Sequence, residues 1–265
     1  MDLASIDSDK AAPGDFSRRE ARLDLLMANA GIIALPPGLT TDGYELQFGT
    51  NHMGHAALIN LLLLTLTITA EQCHDTRIVT ISSDLFNFMS FTVPLSKMDT
   101  SQSAHGPLAP QRRYGESKLA NQLYARELVR RYPTITTVAI HPGVGNTGLQ
   151  DDFTGPTEMM VRAAAMVMPM MTAEQTAWNQ TWAATAPLGN GETQMKSGVY
   201  YERGAGGSML VTKVLRSLKS TLQLQRLGVK ELRKVEIVQW RSEERSLWLR
   251  GRKSVVRVEA AEAVW

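Results

Sequence analysis

The stretch His141-Pro142-Gly143-Val144-Gly145-Asn146-Thr147-Gly148 (HPGVGNTG, residues 141–148) follows a β-branched run, Thr136-Thr137-Val138-Ala139-Ile140, that reads as a strand. Gly143, Gly145 and Gly148 spell G-x-G-x-x-G, the spacing of a turn whose backbone approaches a pyrophosphate. If that reading holds, a nucleotide-binding β-α-β unit opens at residue 136. If it fails, the loop closes a late strand and the sheet begins far upstream. A pyrophosphate turn is followed by a second strand and, about 20 residues on, by an acidic residue. Here Gly148 is followed by Asp151, Asp152, Pro156 and a methionine-rich helical stretch, with no such strand. The glycine spacing is therefore a coincidence. Gly204-Ala205-Gly206-Gly207 is a second decoy and fits a flexible segment after the last strand of the body.

Working outward, residues 15–22 are polar and helix-compatible. Residues 23–28 read as a buried strand ended by Asn29-Ala30-Gly31, and Pro36-Pro37-Gly38 marks a loop. Residues 41–70 are mostly helical and 76–81 are a β-branched strand. Residues 90–113, rich in Ser, Pro and Gln, read as a long loop. The spacing of Leu119, Leu123, Ala125, Leu128 and Val129 predicts a helix over 114–132, closed by Pro133. A strand at 134–140, helices at 155–171 and 172–186, and a short strand at 198–201 complete the body. Residues 211–219 also have a helical pattern. This β-α-β-α order predicts an α/β fold, a parallel sheet flanked by helices, with chemistry at the carboxyl ends of the strands.

A chain of 265 residues holds one sizeable domain, or a domain with an appendage. A net charge of +2 is too small to argue for a nucleic-acid partner. The single cysteine, Cys73, forms no internal disulfide and fits a reducing, cytoplasmic setting. The apolar stretch 56–68 is shorter than a membrane span and is interrupted by Asn60 and threonines, so it reads as a buried helix. From residue 205 onward 13 Lys/Arg face 6 Asp/Glu, whereas 15 face 20 before it. That shift divides the chain into a body, 1–204, and a basic tail, 205–265, read as a solvated extension.

The strongest local signal is Tyr114-Gly115-Glu116-Ser117-Lys118. Tyrosine and lysine four apart share one helix face. A free tyrosine titrates near pH ~10, so acid/base work at neutrality needs a shift of about 3 units, or ~4 kcal/mol. A neighbouring ammonium supplies part of it. Upstream lie Arg77-Ile78-Val79-Thr80-Ile81-Ser82-Ser83, Asn29-Ala30-Gly31 and Asn51-His52-Met53-Gly54-His55; downstream lie His141-Pro142-Gly143 and Thr147. In this order and spacing the set closely resembles the short-chain dehydrogenase/reductase family, above all its retinol-dehydrogenase-like branch with many fungal relatives. The resemblance runs from about residue 2 to about residue 201.

It implies a Rossmann-like, doubly wound parallel sheet and NAD(P)-dependent interconversion of an alcohol with a ketone or aldehyde. NADP(H) is the preferred cofactor and an apolar small molecule the substrate. Tyr114 would be the acid/base. Lys118 would lower its pKa and hold the nicotinamide ribose. Ser83, rather than Ser82, would bond the reacting oxygen. Asn51 would anchor a relay water, and Asn29, Ala30 and Gly31 would line the cofactor cleft. Pro142, Gly143 and Thr147 would meet the nicotinamide, and Asp2 the adenine. The faces of 41–70 and 114–132 resemble a homodimer surface.

His52 and His55 have a metal-like spacing, but no further ligand falls beside them, and they read as packing residues. The methionines at 159–171 either cover an apolar pocket or fill core.

The chain departs from the family at both ends. It begins where the family's third strand ends, so the fold is expected to be N-terminally truncated, without the glycine-rich turn. Cofactor affinity is then expected to fall severely, the strand at 23–28 to form an apolar edge, and the segment at Asp2 to lose its supporting neighbour. The alternative function is a catalytically inactive pseudoenzyme that acts as a dimerising partner.

Overall fold

A computed structural model describes residues 1–73, 75–85, 108–145, 171–190, 194–203 and 209–211. The order is α1 (Ile6–Arg19), β1 (Leu25–Ala28), α2 (Leu46–Gln72), β2 (Arg77–Ile81), α3 (Ala109–Arg131), β3 (Thr136–Ile140), α4 (Ala173–Thr185), β4 (Tyr200–Arg203) and β5 (Met209–Val211). Strands β1 to β4 pair in parallel and in sequence order, with Leu26 beside Ile78, Val79 beside Val138 and Ala139 beside Tyr200. β5 closes the sheet antiparallel to β4, so the described sheet extends past residue 204.

The alternation of side chains along these strands builds a core on each face. On one face Ala28 and Ile78 meet Ile59, Leu62 and Leu66 of α2 and Tyr124 and Leu128 of α3. On the other, Val79, Ile81, Val138 and Ile140 meet Ala183 of α4 and Met195. A sheet covered on both faces is what parallel strands rich in Val and Ile require. β1 forms an edge of the described sheet, and its Leu25 is 37% exposed. α2 is long and apolar enough to cross a membrane by length and composition, yet 67% of that stretch is buried inside the protein.

Several sequence expectations are corrected. The helix read at 15–22 starts nine residues earlier, at Ile6. Ser5 caps it by accepting from the Ser8 N–H (3.3 Å), and Asp42 accepts the Ile6 N–H (2.9 Å). Pro13 and Gly14, poor helix residues, hid it. The loop read through 113 gives way to α3 at Ala109, with Pro110 in the first turn, where a missing N–H costs nothing. Val211 belongs to a strand rather than a helix. The segment at Asp2 is not left without support: Leu3 packs on Gly54, and Ala4 O accepts from Thr41 N (3.2 Å) and Oγ1 (3.0 Å). The helix read at 155–171 (Met171 apart), Thr147, the glycines at 204–207 and the tail beyond 211 lie outside the described residues.

Within α2, residues Gly49–Gly54 form one π turn between regular α-helical segments. Beside it lies a buried charge cluster. Arg113 Nε pairs with Glu45 Oε1 at 3.1 Å, both side chains 1% exposed, and Arg113 Nη2 donates to Leu35 O (2.9 Å). Glu45 Oε2 accepts the Phe48 N–H (2.7 Å) and so caps the start of α2. Glu116 is buried too, and its carboxyl oxygens have no hydrogen-bond partner among the described residues. Burial, reinforced by the Glu45 charge, pushes its pKa up to about 8.

Two predictions follow from this packing. Leu66 is fully buried, so Leu66→Ala should cost about 2–5 kcal/mol in urea denaturation. Between its ordinary value of 4.5 and about 8, Glu116 holds its proton in the folded chain and loses it in the unfolded one. Its burial therefore lowers stability as pH rises through that window. Glu116→Gln should flatten the slope, improving stability at pH 8 relative to pH 5 by on the order of 2 kcal/mol. An unchanged slope would show that Glu116 ionises normally.

Candidate active site

The carboxyl ends of β1, β2 and β3 converge on the first turns of α3. Tyr114, Ser117, Lys118 and Asn121 follow the i, i+3, i+4, i+7 pattern that lines up one helix face. All four are buried. The Ser83 side chain lies near enough to the Tyr114 phenol to pull its pKa down against burial. Lys118 Nζ lies 5.3 Å from the Tyr114 ring centre and donates to Ile81 O at 3.3 Å. An ammonium has three donors, so this single long bond leaves it able to hold more.

The two adjacent serines are separated by strand alternation. Ser82 donates to Lys118 O (2.9 Å) and accepts from Gln122 Nε2 (2.9 Å), so its hydroxyl is committed to α3. Ser83 accepts the Leu85 N–H (3.3 Å) and is the serine that acts on the Tyr114 phenol.

Asn51 sits in the π turn and braces the site. Its Oδ1 accepts the Ile32 N–H (2.8 Å), and its Nδ2 donates to Ile32 O (2.8 Å) and Ser117 Oγ (3.0 Å). Both amide hydrogens are thus engaged by protein, which leaves one lone pair on Oδ1 for a water. Its backbone carbonyl takes bonds from Asn121 Nδ2 and His55 Nδ1, both 3.1 Å. Asn121 was missed in the sequence. Its Nδ2 also reaches Ile81 O (3.0 Å) and its Oδ1 meets His52 Nδ1 (3.0 Å), so it ties α2, β2 and α3 together. Its position seven residues after Tyr114 is the signal that pointed to it.

Gly31 leaves a narrow cradle: a Cβ there would lie 3.0 Å from Asn51 Oδ1 and 3.4 Å from Lys118 Nζ. Asn29 and Ala30 are exposed, and Asn29 Oδ1 accepts from Gln180 Nε2 of α4 (2.5 Å). Pro142 and Gly143 follow β3 half-buried. Gly143 has φ +94°, and a Cβ there would lie 2.6 Å from Met171 Sδ; one on Gly145 would strike Thr176. These glycines let the chain pack closely against residues 171–176. That accounts for Gly143 and Gly145 without a phosphate; Gly148 lies outside the described residues. Asp2 stands apart from this group, its carboxylate accepting the Ala4 N–H (2.9 Å). His52 and His55 are packing residues: His52 lies between the rings of Phe48 and Tyr124, and burial pushes both imidazoles down to about 4.

Burial dominates the electrostatics. It drives the Tyr114 phenol up to about 12, with the Ser83 side chain pulling the other way, and the Lys118 ammonium down to about 8. The expected fall of Tyr114 toward neutrality is therefore not met by the chain alone. Lys118 stands by the ring, 5.3 Å from its centre, and desolvation of the phenolate is the largest effect on Tyr114.

No family model matches the chain. A short-chain dehydrogenase/reductase of Aspergillus calidoustus is 31% identical over 254 residues, 90% of this chain and 77% of that protein. Human retinol dehydrogenase 14 is 40% identical over 151 residues, 56% of this chain; the match spans 42% of that enzyme's length, less than half. Among solved structures, an uncharacterised protein from Mycobacterium paratuberculosis aligns with TM-score 0.61 at 27% identity, over 89% of this chain and 75% of that one. NADPH-bound carbonyl reductase from chicken fatty liver aligns with TM-score 0.52 at 20% identity, over 80% and 75%, a likeness of fold. Sequence and fold point the same way, and the chain belongs to the short-chain dehydrogenase/reductase family.

Proposed function

We propose that the chain is a nicotinamide-dependent oxidoreductase acting on a small apolar alcohol, ketone or aldehyde. The observation that carries this reading is Lys118 Nζ 5.3 Å from the Tyr114 ring centre, one helical turn along α3, with the Ser83 side chain close enough to act on the phenol. A carbonyl oxygen set between the two hydroxyls accepts a hydrogen bond from each. In reduction Tyr114 gives its proton to that oxygen; in oxidation it takes one back. The high pKa of the buried phenol suits the acid role, and an approaching cationic or hydrogen-bonding group favours the phenolate.

The residues present fit the nicotinamide end of a dinucleotide. Lys118 has donors to spare for a ribose hydroxyl, and Gly31 keeps open a space that a Cβ would fill. When bound, the cofactor supplies or accepts the hydride. Among the described residues no glycine-rich turn serves its pyrophosphate. NADP(H) is preferred to NAD(H) on the resemblance to the retinol-dehydrogenase-like branch. The second reading, an inactive pseudoenzyme, draws on Lys118 facing the Tyr114 ring, 5.3 Å from its centre.

NADPH consumption with a panel of medium-chain aldehydes and ketones separates the two. Tyr114→Phe keeps the ring and should lower kcat by about 10²-fold or more. Consumption that is independent of carbonyl, or equal in Tyr114→Phe, would refute the enzyme reading.

A further inference from the structure

Three titratable side chains meet just beyond Ser83 and take no part in the proton transfer. The Tyr200 hydroxyl donates to Asp84 Oδ1. His141 Nε2 faces Asp84 Oδ2 at 3.7 Å. Asp84 directly follows Ser83 in the chain, where the last ladder bond given for this strand end is Ser82 N–H to Ile140 O (2.7 Å).

Tyr200 and the neighbouring His141 stand on fixed backbone. The Tyr200 ring is buried against Leu119, Leu123, Ala125 and Ala139. His141 donates its N–H to Tyr201 O (2.8 Å), and its carbonyl accepts from Asn179 Nδ2 (2.6 Å). Asp84 itself is part-exposed on the segment that leaves the sheet. A side chain in that position, gripped by a rigid tyrosine, sets the direction of the residue before it.

We propose that Tyr200 is a positioning residue that grips Asp84 and thereby keeps the Ser83 side chain beside Tyr114. The inference rests on the oxidoreductase reading only for its kinetic consequence. The residue types suit the task. A phenol bonded to a carboxylate is a charge-assisted, directional contact. Burial and the Asp84 charge both push the Tyr200 pKa far up, so it stays a donor and does not compete with Tyr114 as an acid. Burial, aided by Lys118 and opposed by Glu202, pushes His141 down to about 4, so at neutral pH it faces Asp84 without a charge.

Tyr200→Phe removes the hydroxyl and keeps the ring. Asp84→Asn keeps an acceptor oxygen for Tyr200 and serves as the conservative rescue; Asp84→Ala removes it. Crystal structures of the wild-type chain and Tyr200→Phe need neither cofactor nor substrate. The Ser83 side chain should lie beside the Tyr114 hydroxyl in the first and turn away in the second; an unchanged Ser83 position in Tyr200→Phe overturns the proposal. In turnover, Tyr200→Phe and Asp84→Ala should lose about tenfold or more in kcat with the KM for NADPH within about twofold, while Asp84→Asn stays near wild type. Equal kcat in wild type and Tyr200→Phe also overturns it. If the wild-type chain shows no turnover, the oxidoreductase reading fails and the structural comparison still decides this one.

Discussion

The site depends on one buried amide. Asn121 holds the carbonyls of Asn51 and Ile81 through Nδ2 and meets His52 through Oδ1. These bonds fix the π turn of α2, the end of β2 and the Tyr114–Lys118 face of α3 relative to one another. Asn51 then carries the connection to the loop after β1 through Ile32. Inside a protein such a network is worth most when every member is satisfied, because an unpaired buried amide costs about 1–3 kcal/mol. The π turn serves it: the extra residue per turn presents the Asn51 side chain to Ile32 and Ser117 while its carbonyl meets Asn121 and His55.

The same burial that makes the network strong sets the chemistry. Tyr114 and Lys118 are both desolvated, so the phenol is a weak acid and the ammonium is within reach of losing its proton. Neutral Tyr114 beside Ser83 is ready to donate. Bringing it to the phenolate requires a stabilising contact beyond the ring-to-ammonium approach of Lys118. Glu116, two residues from each of these groups in sequence, faces another way into the Glu45–Arg113 pair and answers to that cluster instead.

Much of this was legible in the sequence. The β-branched runs marked the parallel strands because buried strands demand such residues on both faces. The four-residue spacing of Tyr114 and Lys118 put them on one helix face, and the preference for Ser83 over Ser82 came from the family resemblance. What stayed hidden depends on distant partners. The π turn is selected by tertiary bonds to Ile32 and Asn121. The pairing of Tyr200 with Asp84 joins residues 116 apart. Gly143 and Gly145 imitated a nucleotide motif because close backbone approach needs glycine whatever approaches, and here it is Met171 and Thr176. α1 was obscured by Pro13 and Gly14.

The central claim is that Lys118 and its surroundings form the nicotinamide end of a cofactor site. It is tested most directly by titrating the folded 265-residue chain and its Lys118→Ala variant with NADPH and NADH, followed by nicotinamide fluorescence. The account predicts a saturable signal in the wild-type chain that is lost or weakened at least about tenfold in the variant. No saturable signal up to millimolar cofactor in a folded sample, or the same signal in both proteins, would contradict it.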